Sequence, residues 1–292
     1  MKKLTLLFLT LLSGGLFAQN LVRNGSLENT GNCPITDTVF SNYVNPWTFY
    51  KGDPDFYHPC GFPGSDSATN NALPFDGDGF AGIDVYGLQG VNFVREYLHG
   101  ELKKPLEEGK FYRVSFYVLP RNNDVKGDSY GINNIGMLLT DTVVDSIPPG
   151  NVIPATPQVV AKDPITQVNY WTPICGIIKA KGGERYITIG NFTQDAETDA
   201  VPLENASNPS TAYYMIDYVE VLENDLPQLP ADTVICQEGR IDLRVAGPNI
   251  SVLWSDESTS SNFIITKPGL YTAEISNGIC SFTDSIQVDG VN

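Results

Sequence analysis

The chain has 292 residues, 41% hydrophobic and 18% charged, with 27 Gly and 20 Pro, too apolar for a disordered chain and far from the one-third glycine of collagen. Its 18 basic and 34 acidic residues give a formal charge of −16, which repels phosphate backbones and anionic lipid headgroups, so no nucleic acid is expected as a partner. The length suits about two domains of roughly 100–200 residues each.

Taken from the start, Lys2 and Lys3 precede an apolar run over 4–12, then Ser13-Gly14-Gly15 and Leu16-Phe17-Ala18 before Gln19. This is the pattern of a secretory signal peptide, residues 1–18, with a small residue at the cleavage position. The run is too short for a bilayer of about 30 Å, and no later segment is apolar enough to span one, so no membrane insertion is expected. Beyond it, residues 111–119 alternate, with Tyr112, Val114, Phe116 and Val118 on one face and Arg113, Ser115 and Tyr117 on the other, which predicts a half-buried strand. Short apolar runs at 80–86, 135–140, 175–180, 185–189 and 213–222, separated by Gly, Pro, Asn and Asp, predict further strands. Only 94–104 carries a helical pattern, with His99 at its cationic end. The expected class is all-β, with an antiparallel sandwich over 19–224.

Pro227 and Pro230 mark a stiff linker at 225–230. A second domain follows at 231–292, with strands predicted at 241–245, 251–254, 262–266, 270–275 and 281–288 and with Trp254 in its core. Five cysteines remain in a chain bound for export, where pairing is the default. The expected bridges are Cys33 with Cys60 and Cys236 with Cys280, leaving Cys175 as an inert buried thiol.

The sequence holds no Gly-x-Ser-x-Gly elbow, no His-Glu-x-x-His and no phosphate-cradling loop, and only two histidines, so no enzyme is expected. Glycan binding needs aromatic faces for sugar C–H surfaces and a few polar groups for hydroxyls. Trp47, Tyr50, Phe56, Tyr57 and His58 form such a cluster, with Tyr50, Tyr57 and His58 as the candidates for an exposed binding loop. The alternative for Trp47 and Phe56, favoured for Trp47, is that they plug the sandwich end beneath it. Arg113 and Tyr117 form a second candidate surface, the alternative being an ordinary solvated sheet face.

The opening Asn24-Gly25-Ser26-Leu27-Glu28 and the closing Ile216-Asp217-Tyr218-Val219 resemble the galactose-binding-like, jelly-roll carbohydrate-binding modules. In those modules the opening Glu and closing Asp sit near each other and help hold a structural calcium. The resemblance makes Glu28 and Asp217 calcium candidates, with Asp76 and Asp78 of the glycine-rich loop 75–82 as further oxygen donors. The alternative is an acidic turn whose Glu and Asp bond backbone amides. Over nearly the whole chain, Asn20-Leu21-Val22, Asp53-Pro54-Asp55-Phe56-Tyr57-His58, Gly183-Glu184 to Phe192 and, in the second domain, Asp232 to Cys236, Trp254-Ser255 and Pro268 to Tyr271 resemble modules of secreted Bacteroidetes surface proteins of the gliding-motility and type IX secretion cargo type, which often end in immunoglobulin-like repeats. That resemblance implies a jelly roll followed by a small immunoglobulin-like sandwich, and a non-catalytic adhesion or binding role toward a glycan or a cell-surface protein. The alternative is a structural or partner-binding subunit of a surface, gliding or secretion assembly. The chain ends at Asn292 without the usual sorting domain, so the expectation covers periplasmic as well as extracellular and cell-surface placement.

Overall fold

The computed structural model describes residues 19–33, 43–49, 52, 54–61, 72–88, 95–122, 129–144, 152–223 and 226–291. The expected signal peptide at 1–18 and Tyr50 lie outside them. The first module carries β1 (Thr48–Phe49), β2 (Asp55–Tyr57), β3 (Phe80–Gly87), β4 (Leu98–Glu101), β5 (Phe111–Pro120) and β6 (Tyr130–Ile132). It continues with β7 (Ile135–Thr140), β8 (Val159–Val160), β9 (Thr172–Lys179), β10 (Tyr186–Asn191), β11 (Ala200–Pro202) and β12 (Thr211–Glu223). The second has β13 (Thr233–Cys236), β14 (Ile241–Arg244), β15 (Ser251–Trp254), β16 (Asn262–Ile265), β17 (Gly269–Ser276) and β18 (Ser281–Val291). The protein is all-β.

In the first module two five-stranded sheets run β1-β4-β10-β7-β8 and β2-β3-β12-β5-β9. Strands β3, β4, β5, β7, β9, β10 and β12 fall in the two sheets by turns, the winding of a jelly roll. The period-2 alternation of β5 drives this arrangement: Tyr112, Val114, Phe116 and Val118 are buried against Tyr214 and Ile216 of β12, Ile187 and Ile189 of β10 and Met137 and Leu139 of β7. Burying each such side chain contributes about 1.5–3 kcal/mol before chain entropy is counted. The opposite face of β5 carries Arg113, Ser115, Tyr117 and Leu119, turned away from that core.

The stretch expected to be helical is a strand in its described part. β4 pairs with β1 and β10, and Leu98 and Leu102 are both fully buried. Their four-residue spacing imitates a helical stripe, yet Leu98 faces the core from β4 and Leu102 forms an isolated bridge with Val22. His99 is therefore no cationic helix end: it is buried beside the Thr188 hydroxyl, 2.9 Å from Nδ1, and burial pushes its pKa down to about 4, which keeps it neutral.

The second module packs a four-stranded sheet, β13-β18-β17-β15, against the pair β14-β16. Trp254 is buried as expected, stacked on Phe263 with ring centroids 4.6 Å apart, and its Nε1 donates to the Ser260 carbonyl. Its core, built on Ile235, Leu243, Val252, Ile275, Ile286 and Val288, forms a cluster separate from that of the jelly roll.

The disulfides correct one expectation. Cys33 pairs with Cys60, but Cys280 pairs with Cys175 of β9 rather than with Cys236, its Cα 5.6 Å from that of Cys175. Cys280 immediately precedes β18, whereas Cys236 sits opposite Val291 at the far end of that strand. Eleven residues of extended chain span roughly 35 Å, several times the Cα separation a disulfide can bridge. Cys175 is thus a link between the modules, and Cys236 is an exposed free thiol.

Candidate functional site

The outer face of the sheet β2-β3-β12-β5-β9 gathers the aromatic side chains that the core does not take. β5 turns Tyr117 outward, and the Phe75 ring from the loop before β3 stacks on it, with centroids 3.6 Å apart and planes 16° from parallel. Trp171, just before β9, meets Phe75 edge-on at 6.5 Å and holds the same loop by donating its Nε1 proton to the Leu73 carbonyl. Tyr218 completes the group, 5.6 Å from Phe75 and 6.1 Å from Tyr117. It reaches this face through a bulge: the β12–β5 register shifts between Asp217 and Glu220, and Tyr218 takes the left-handed conformation with φ of 50°. Phe75 is 40% exposed, and Tyr117, Trp171 and Tyr218 are half-buried. These rings are held in place and still meet solvent.

Polar groups line the same face. Glu220 accepts hydrogen bonds from the Tyr218 and Ser115 hydroxyls and lies near Arg113. Burial raises the Glu220 pKa against the opposing effects of Arg113 and these two donors. The Tyr218 phenol is raised, chiefly by the Glu220 charge, and that of Tyr117 by burial and then by Glu220. Both remain neutral donors at ordinary pH. Flat apolar ring faces beside a charge pair and hydroxyls are the chemistry a sugar ring requires: C–H surface for the rings, hydroxyls for the carboxylate and guanidinium.

Arg113 and Tyr117 therefore belong to one surface, as the alternation of β5 suggested. Tyr57 does not: it is 1% exposed, and its hydroxyl bonds both Asp55 Oδ2 and the Tyr213 hydroxyl, each at 2.9 Å. Burial is the chief cause raising its pKa. Its place on β2 points it under the loop rather than outward, where it stacks on Phe80. His58 is half-buried, with Nδ1 accepting the Cys60 N–H at 3.2 Å. Trp47 and Phe56 are both buried, Trp47 donating its Nε1 proton to the Asn24 carbonyl. Phe75, Trp171 and Tyr218 were missed; the signal for Tyr218 was its position next to the closing Asp217, while Phe75 and Trp171 sit in loops whose packing no periodicity announces.

The four expected calcium donors do not come together as one set. Asp217 is fully buried, Oδ2 accepting the N–H of Phe75 at 2.8 Å and of Asp76 at 3.1 Å and Oδ1 that of Tyr218 at 2.6 Å. Glu28 grips the other end of the loop, accepting the N–H of Asp78 on both oxygens at 3.0 Å and of Gly79 at 2.7 Å. Asp217 thus spends both oxygens on backbone amides, while Glu28 takes two amides on Oε1 and only one on Oε2. Among the described residues the one group of three or more side chains that can share a metal is Glu28, His58 and Asp78, which includes a nitrogen donor and leaves out Asp76 and Asp217. Calcium prefers about six to eight oxygen ligands, and the described carboxylates alone do not supply that number.

No protein-family model matches the chain, and no curated protein matches it. Solved structures that resemble it include the K1 cleaved adhesin domain of Lys-gingipain from Porphyromonas gingivalis W83, at TM-score 0.31 and 14% identity, covering 61% of this chain and 90% of that one. Another is the N-terminal module pair of xylanase 10B from Clostridium thermocellum, solved with xylohexaose, at TM-score 0.32 and 11% identity over 65% and 31% of the two chains. A third is the adhesin domain of Epf from Streptococcus pyogenes, at TM-score 0.25 and 10% identity over 84% and 92%.

Proposed function

We propose that the protein is an exported, non-catalytic binding protein whose jelly roll takes glycan chains on the Phe75–Tyr117–Trp171–Tyr218 face, with the second sandwich as a spacer. The observation that carries this reading is the solvent-exposed aromatic stack beside Arg113, Ser115 and Glu220. The two disulfides support placement outside the reducing cytoplasm. No helix among the described residues is long and apolar enough to cross a membrane.

The test is a glycan-array screen of the mature protein beside Phe75→Ala and Tyr117→Ala. Binding to a defined glycan class that both variants lose supports the reading. A specific signal retained by both, or none from the wild type, refutes it.

A second reading is favoured by the outward side chains of the second module. Val234, Leu253 and Leu270, all turned outward on the sheet β13-β18-β17-β15, are 58%, 45% and 62% exposed, an apolar content suited to a protein partner in a surface assembly. Sugar-independent capture of one stoichiometric protein, lost when Leu253 and Leu270 become Ser, supports that alternative.

A further inference from the structure

We propose that Glu28, His58 and Asp78 form a site for a borderline divalent transition-metal ion, with Zn2+ as its type, which shares Glu28 and Asp78 with the expected calcium set and adds an imidazole. One donor atom from each lies within 4.8 Å of the other two. Tetrahedral zinc with ligands at about 2.0–2.2 Å places its donors about 3.4 Å apart. Glu28 and His58 are half-buried and Asp78 is exposed; Glu28 stays on its amides, and rotamer adjustment of His58 and Asp78 closes the remaining gap.

The three residues come from separate segments that other bonds already hold together. Glu28 fixes Asp78 by accepting its backbone N–H and that of Gly79. Gly77, with φ of 62°, lets the loop approach so closely that a side-chain carbon there would collide with the Glu28 carboxylate. The disulfide between Cys33 and Cys60 joins the chain just after Glu28 to the chain just after His58. The ligands are therefore brought together without a metal, which reduces the ordering cost of binding one.

Donor type and charge select the ion. Two carboxylates and an imidazole suit a borderline cation, while a nitrogen ligand disfavours calcium and magnesium. None of the ion pairs among the described residues places a lysine or arginine on Glu28 or Asp78. A three-ligand set leaves one tetrahedral position for water or for a group on a bound molecule. Ligation through either imidazole nitrogen displaces the 3.2 Å contact from the Cys60 N–H to Nδ1, one long hydrogen bond given up for the metal bond. The bound ion would tie the Cys33–Cys60 segment to the loop that presents Phe75.

The experiment is calorimetric titration of the untagged, metal-stripped mature protein with ZnCl2 and, separately, CaCl2, for wild type, His58→Ala and Asp78→Asn. Each stripped variant is first checked for an unchanged circular-dichroism spectrum, which exposed Asp78 in particular should give. The expected result is one saturable Zn2+ equivalent, weakened at least tenfold in both variants, with the Cys60 amide resonance of the wild type shifting on zinc addition. Absence of saturable zinc binding, zinc affinity unchanged in both variants, or calcium that binds more tightly than zinc and displaces it would each overturn the proposal.

Discussion

Asp217 and Phe75 lie 142 residues apart in the chain, yet the Asp217 Oδ2 accepts the Phe75 backbone N–H at 2.8 Å. A buried carboxylate at the β12 bulge therefore holds the loop whose ring covers Tyr117, and the same bulge presents Tyr218. Scaffold and candidate site meet in one side chain.

This carboxylate should register in the pH dependence of stability. Burial raises its pKa from 3.8 to about 7, outweighing the three backbone donors, and the negative charge of Glu28 pushes it the same way. Because the folded-state pKa lies above the unfolded value, the folded state binds the extra proton between about pH 4 and pH 7, so this group's contribution falls as pH rises through that window. A shift of this size is worth roughly 4 kcal/mol between the two limits. Urea unfolding from pH 4 to pH 8 should show that slope in the wild type and a flatter one in Asp217→Asn, which also loses about 1–3 kcal/mol at low pH through mismatched loop donors. Parallel curves would show that Asp217 does not titrate in this range.

Phe75→Ala and Tyr117→Ala should weaken glycan binding by about tenfold or more, equivalent to about 1.4 kcal/mol, while barely changing the melting temperature for Phe75, which is 40% exposed. A large stability loss at Phe75 with intact binding would place the ring in the fold rather than in the site.

Tyr57→Phe should do the opposite. The variant keeps the ring on Phe80 but removes a hydroxyl that bonds Asp55 and Tyr213, and should cost about 1–2 kcal/mol of stability with no change in glycan binding. Chemical denaturation and the array together check both halves.

The contrast between Tyr57 and Tyr117 shows what periodicity can convey. Tyr117 alternates with Phe116 and Val118 in a ten-residue strand, so its outward direction could be read from its neighbours. Tyr57 closes a three-residue strand, too short to show which side is buried, and the loop that covers it comes from a different part of the chain. The strands at 135–140 and 251–254 were placed to the residue because turn residues bound them. At 94–104, Leu98 and Leu102 imitated helical spacing, and only pairing with β10 resolves it. Glu28, Asp217 and Asp78 were singled out by their sequence setting, but which oxygens meet amides and which lie near His58 depends on loop closure across 50 and 142 residues. The cysteines were misassigned for the same reason, since nearness along the second module says nothing about β18 separating Cys236 from Cys280.

The disulfide between Cys175 and Cys280 leads to the last expectation. Cys175 lies opposite Ser115 on the edge strand beside the aromatic face, so the bond fixes the second module next to the candidate site. Chain entropy for a separation of 105 residues sets an upper bound of about 4–5 kcal/mol on its contribution. Each module has its own buried cluster, so much of that energy should appear as independence of the two modules rather than as unfolding of either. Under denaturing, non-reducing conditions the mature wild type should show one reactive thiol, Cys236, and Cys175→Ser should show two. The variant should also be cut faster by protease in the linker expected at 225–230 and should melt in two transitions, whereas Cys236→Ser should behave as wild type in both respects. Recovery of a Cys236–Cys280 peptide from the non-reduced digest would refute this pairing and, with it, the fixed placement of the second module.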